Sequence, residues 1–119
     1  MTSTDQPLTD RPPPSPLLRI EVTGTPDVVD VRLVGEMDLS TRGQLASALE
    51  QSDLSGATQV RLDMAGLDFC DASGLAELVA VRQALVAQQR ELATFSAQPS
   101  VLRLLTISGL VGLLALLPS

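Results

Sequence analysis

The stretch Leu62 to Leu75, LDMAGLDFCDASGL, brings a thiol, a carboxylate and a hydroxyl together at Cys70, Asp71 and Ser73. It reads as a buried strand, a short loop and a helix start, with Asp71, Ala72 and Ser73 at the mouth. The first amides of a helix have no intrahelical acceptor, so they can donate to a phosphate or to a carboxylate cap placed there. Asp71 therefore has two compatible readings: a cap that complements the helix dipole, or a group that orients the loop and touches a partner. Ser73 is either a capping hydroxyl or a phosphoacceptor whose modification would add about −1.5 to −2 charges. Cys70 has no second cysteine to pair with and no cationic neighbour in sequence to lower its pKa, so it reads as a small buried hydrophobe.

What the chain lacks narrows its chemistry. There is no His and one Cys, which removes a His-based catalytic triad and a zinc site built from His and Cys. No enzyme and no cofactor is expected. Gly35, Gly66, Gly74 and Gly109 are not at nucleotide-binding spacing; Gly74 reads as a close backbone approach at the helix start, and Gly109 as the end of a helix. A net charge of −6 without Tyr or Trp argues against nucleic acid.

Periodicity and punctuation assign these residues to definite strands and helices. Residues 1–16 hold five prolines and no apolar signal-peptide core, so the expectation is a disordered Pro-rich tail ahead of one domain at 17–119, in the cytoplasm. A recognition segment within Pro7 to Pro16 is the alternative reading of that tail. Leu17 to Thr23 and Val28 to Val34 read as a hairpin turning at Pro26 and Asp27. Thr41 and Gln44 have capping-box spacing ahead of a helix carrying Leu45, Ala48 and Leu49 and ending at Ser55 and Gly56.

Val60 to Met64 reads as a short strand. Leu75, Leu78, Val79, Leu85 and Val86 share one face of a helix running to Gln89. Leu92 to Ser96 supplies another strand, Pro99 fits the first turn of a helix over Val101 to Ile107, and Leu113 to Leu117 closes the sheet. The apolar run Leu104 to Leu117 is too short and too interrupted by Ser108, Gly109 and Gly112 to insert in a membrane. The order β-β-α-β-α-β-α-β predicts an α/β domain, a mixed sheet with helices mostly on one face. Leu75, Leu78, Val79, Leu102 and Leu105 are expected in the core, with Phe69 and Phe95 as its large aromatics.

The Leu62 to Leu75 tract resembles the signature of the STAS domain of bacterial anti-sigma factor antagonists, a strand of "LDL" type followed by "F-x-D-S-S-G-L". Val34, Gly35, Glu36, Met37 and Asp38, with Thr41 and Leu45, resemble the family's "x-G-E-L-D" turn. Pro99 to Leu104 and Ile107 to Leu110 resemble its third helix and "S-G-L" exit. The resemblance covers roughly residues 17 to 117 and occurs in family order.

By resemblance, the chain is an anti-sigma factor antagonist. It would bind an anti-sigma factor, often a serine/threonine kinase of ATPase-like fold, and so free a sigma factor by partner switching. Glu36, Asp38, Asp71, Ala72, Ser73 and Gly74 would form the partner surface, with Glu36 and Asp38 in the turn after the second strand. The hydroxyl that the family phosphorylates falls on Ala72, which leaves Ser73 as the phosphoacceptor candidate. Three options stay open: permanent binding competence, use of Ser73, or another signal. A STAS subunit of a lipid or solute ABC transporter and a non-phosphorylated scaffold module are the alternative functions, and the oligomeric state is open.

Overall fold

Alternating β-branched residues open the domain, seen here in a computed structural model that describes residues 17–109 and 115–117. Strand β1 (Leu18–Gly24) turns through Pro26 and Asp27 into β2 (Val28–Met37), pairing antiparallel from Leu18↔Gly35 to Gly24↔Val29. Strands β3 (Gln59–Cys70), β4 (Glu91–Phe95) and β5 (Ala115–Leu117) add in parallel, so the five-stranded mixed sheet runs β1-β2-β3-β4-β5. Helices α1 (Gln44–Glu50), α2 (Ala72–Ala87) and α3 (Pro99–Ile107) supply the crossovers, and a 3-10 turn at Leu39–Thr41 precedes α1. The predicted order of strands and helices holds, with that turn as an addition. The Pro-rich tail and the Leu113 start of the last strand lie outside the described residues.

Period-two burial explains the layering. Val29, Val31 and Leu33 of β2 and Val60, Leu62 and Met64 of β3 are buried in one cluster with Leu45, Leu49, Leu78, Val81, Leu85, Val101 and Leu105 from the three helices. The helices thus cover one face of the sheet. Intervening residues make the opposite face charged: Arg32 sits between Glu21 and Asp63 in register, and Arg61 bonds Asp30 at 2.7 Å while lying 5.8 Å over the Phe95 ring. The core is aliphatic, each fully buried Leu or Val contributing about 1.5–3 kcal/mol.

Six expectations are corrected. The third strand does not stop at Met64 but runs to Cys70, because β2 continues beside it as a partner. Its register slips twice, between Arg32 and Val34 and between Gly35 and Glu36 on β2. Each slip is a bulge that adds one residue to β3, so Met64, Leu67 and Cys70, three apart, all face inward. That spacing hides the strand from a period-two reading. Phe69, expected in the core, is 47% exposed, because it falls between two inward positions.

On α2 the buried side is Gly74, Glu77, Leu78, Val81 and Leu85; Leu75 and Val79 are half-buried and Val86 is exposed. On α3 it is Val101 and Leu105, leaving Leu102 outside. α1 ends at Glu50, short of Ser55. Thr41 does not cap it: α1 begins after Gly43, in the left-handed region at φ 87°, and Thr41 instead closes a capping box that Asp38 opens.

Candidate functional site

Two parallel strands that end side by side create the site. Met37, the last residue of β2, is in register with Cys70, the last of β3, so Asp38 and Asp71 leave the sheet next to each other. The Asp71 N–H donates to the Met37 carbonyl at 3.2 Å. Both aspartates have extended backbones, and each caps a helical turn, Asp38 the 3-10 turn and Asp71 the start of α2. Asp38 Oδ1 accepts from the Ser40 N–H at 2.9 Å, the Ser40 hydroxyl at 2.7 Å and the Thr41 N–H at 3.2 Å. Thr41 Oγ1 accepts from the Asp38 N–H at 2.9 Å and donates to the Glu36 carbonyl at 3.0 Å. The Ser40 hydroxyl, together with the Ser40 and Thr41 amides, holds the Asp38 carboxyl below its ordinary pKa against the opposing effect of desolvation.

Asp71 Oδ1 accepts from the Ser73 N–H at 2.9 Å and the Gly74 N–H at 3.2 Å. Its capping role is as expected, and it has a consequence for the anion reading. The chain's own carboxylate already occupies two of the first-turn amides that a phosphate would need. Gly74 beneath the mouth fits the expected close approach: a Cβ there would lie 2.6 Å from the Met37 carbonyl oxygen and 2.7 Å from Cys70 Sγ. Burial, then the Asp71 and Glu77 charges, push the Cys70 thiol up to about 11, consistent with an inert hydrophobe.

The predicted residues gather at one end of the sheet. Asp38, Asp71, Ala72 and Ser73 are at the mouth, Ala72 exposed and Ser73 half-buried, with Gly74 as the floor. Glu36 requires a correction: it is not in a turn but inside β2, opposite Phe69, because the strand persists to Met37. Sequence reasoning missed Leu39, which is 68% exposed directly after Asp38, and the exposure of Phe69. Leu39 had a signal available, an apolar residue inside a polar capping box. Among the described residues, no group of three or more His, Cys, Asp or Glu is placed to hold a metal ion, and no helix is long and apolar enough to cross a membrane.

The STAS domain family model matches residues 19–119. The chain belongs to the STAS domain family. Within it, the chain is similar to anti-sigma factor antagonists. It is 30% identical over 84 residues to the anti-sigma-B factor antagonist of Listeria monocytogenes serovar 1/2a, covering 71% of this chain and 74% of that one. Its fold is similar to the crystal structure of an anti-sigma factor antagonist from Mycobacterium paratuberculosis, with a TM-score of 0.75 at 21% identity over 89% of this chain and 91% of that one. It is also similar to the phosphorylated form of the Bacillus cell fate determinant SpoIIAA, with a TM-score of 0.60 at 22% identity over 86% and 90%.

Proposed function

We propose that this STAS domain is a non-enzymatic regulator that binds an anti-sigma factor through the Asp38–Asp71 mouth and thereby frees a sigma factor. The observation that carries the reading is the Met37↔Cys70 register, which sets two capped aspartates beside an exposed Ala72. Rigid carboxylates at the rim suit a basic partner surface, and the small Ala72 side chain lets that surface approach the first turn of α2. Glu36, Ser73 and Gly74 complete the surface, Gly74 as its support. The partner in this reading is a serine/threonine kinase of ATPase-like fold.

Relatives with a serine after the aspartate can be switched off by a dianion at that position; here that position has no hydroxyl. The mouth is therefore read as standing binding-competent, with Ser73 as the remaining phosphoacceptor candidate. Affinity capture of the tagged chain tests the partner, and recovery of a transporter ATPase in place of an anti-sigma factor would overturn it. Ala72→Leu should abolish capture by wedging a bulky side chain where the small Ala72 lets the partner approach the first turn of α2, whereas Asp38→Asn should weaken it while retaining the turn. Incubation of the chain with the captured kinase and ATP, then phosphosite mapping, decides Ser73.

A further inference from the structure

Strand β1 is an outer strand of the sheet and lacks the features by which such edges are commonly blunted. Leu18 to Gly24 contains no Pro and no Lys, and its register with β2 is uninterrupted. Its helix-facing side chains, Leu18, Ile20 and Val22, are all apolar, and Val22 is exposed. Arg19 and Glu21 are exposed on the open face of the sheet.

The direction of its backbone groups follows from its two ends. The Glu36 N–H donates to the Leu17 carbonyl at 2.7 Å, and the Thr25 N–H donates to the Val28 carbonyl at 2.9 Å. Bonded and non-bonded pairs alternate along an antiparallel ladder, so Leu17, Arg19, Glu21, Thr23 and Thr25 turn their backbone groups toward β2. Leu18, Ile20 and Val22 turn theirs to the outer edge, where no described residue pairs with them.

The run Leu18 to Val22, LRIEV, is self-complementary. In a second copy laid antiparallel about Ile20, Leu18 meets the second copy's Val22, Ile20 meets Ile20, and Val22 meets Leu18. All of these residues have outward backbone groups, so each pair can exchange two hydrogen bonds. Between them Arg19 meets the second copy's Glu21 in a non-bonded pair, where side chains lie closest. The seam extends a row of alternating charge, because Glu21 is already opposite Arg32, and Arg32 opposite Asp63. The adjacent registers that keep the backbone groups matched set Arg19 against Arg19 or Glu21 against Glu21, and like charges directly opposite are destabilising.

We propose that β1 is a self-association edge: two copies pair through Leu18 to Val22 about a two-fold axis at Ile20, joining their sheets into one. The contact is isologous and uses the edge of each copy once, so it closes at a dimer. The axis runs normal to the sheet and sends the two Asp38–Asp71 mouths to opposite ends, leaving both outside the seam. Only that consequence rests on the mouth reading; the dimer does not.

Sedimentation velocity of the full chain at increasing concentration is the test. A seam of this length is small beside a standard interface, so a reversible equilibrium that is largely dimeric by about 1 mM is expected. Arg19→Glu and Glu21→Arg each set like charges face to face twice per dimer and should raise the dissociation constant about tenfold, whereas the two changes together exchange the pair and should restore it. That restoration separates a broken seam from a misfolded chain. In hydrogen exchange, the amides of Leu18, Ile20 and Val22 should gain protection as concentration rises, while those of Arg19, Glu21 and Thr23, held by β2, are protected throughout. A monomer at every concentration overturns the proposal. So does an association that the single changes leave intact, that the double change fails to restore, or that grows beyond a dimer.

Discussion

The buried carboxylate of Glu77, on α2, accepts a hydrogen bond at 3.1 Å from the backbone N–H of Ala46, in the first turn of α1. α1 lacks a cap of its own, because Gly43 offers no side chain. One of its orphan donors is thus satisfied from the neighbouring helix, and the carboxylate also faces the positive end of the α1 dipole.

Glu77→Ala should therefore cost about 1–3 kcal/mol, the penalty for leaving a buried donor unpaired. Glu77→Gln keeps an acceptor and should recover most of that loss. Urea denaturation of both variants measures it, and equal losses would show that the charge rather than the hydrogen bond matters.

Gly74→Ala sets two effects against each other. Ala is favoured over Gly in a helix by about 1 kcal/mol. The new Cβ, however, would sit 2.6 Å from the backbone oxygen of Met37, which cannot rotate away as a side chain could. Overpacking costs about 1–3 kcal/mol, so net destabilisation is expected. A midpoint at or above that of the unaltered chain in thermal unfolding would refute the close approach.

Thr94 is fully buried on β4, and its hydroxyl has no hydrogen-bond partner among the described residues. Thr94→Val keeps the shape and the β-branch while removing the orphaned group. The expected gain is about 1 kcal/mol. For a domain of this size that corresponds to a rise of roughly 4–8 °C in Tm. A fall in Tm would mean that the hydroxyl has an acceptor in solution.

Asp38 gives a pH dependence with a definite sign. Its folded pKa is depressed, so its capping bonds contribute fully above the ordinary carboxylate value of about 3.9 and are lost as pH falls through the lower folded value. The Ser40 and Thr41 amide resonances should hold steady from neutral pH to about pH 4 and move below it. Asp38→Asn should flatten that response, and a midpoint above the ordinary value would contradict the geometry.

The strand and helix order was legible because hydrophobic period and Pro and Gly punctuation agree along most of the chain. The mouth was legible through its short-range cap: Asp71 acts on residues two and three ahead, a spacing that sequence displays directly. What escaped depends on contacts between distant segments. Glu77 and Ala46 are 31 positions apart, and nothing local marks Glu77 as buried. Phe69 looks like core by type and is turned outward only because β3 bulges against β2. Thr41 was seen as a capping residue but assigned to the wrong turn, since Asp38 and Gln44 are both three positions away and only the backbone chooses between them.

The two bulges in β3 separate how the mouth is aimed from how the domain is held together. Each is one residue beyond what the ladder with β2 requires, so losing a codon at Asp68 would leave Phe69 opposite Glu36 and Cys70 opposite Met37. The inward-facing anchors would keep their partners, while the bend and twist carried by the bulge would relax. Small insertions and deletions in this stretch are thus a route by which a lineage can turn Asp71 and Ala72 toward a different partner without rebuilding the core.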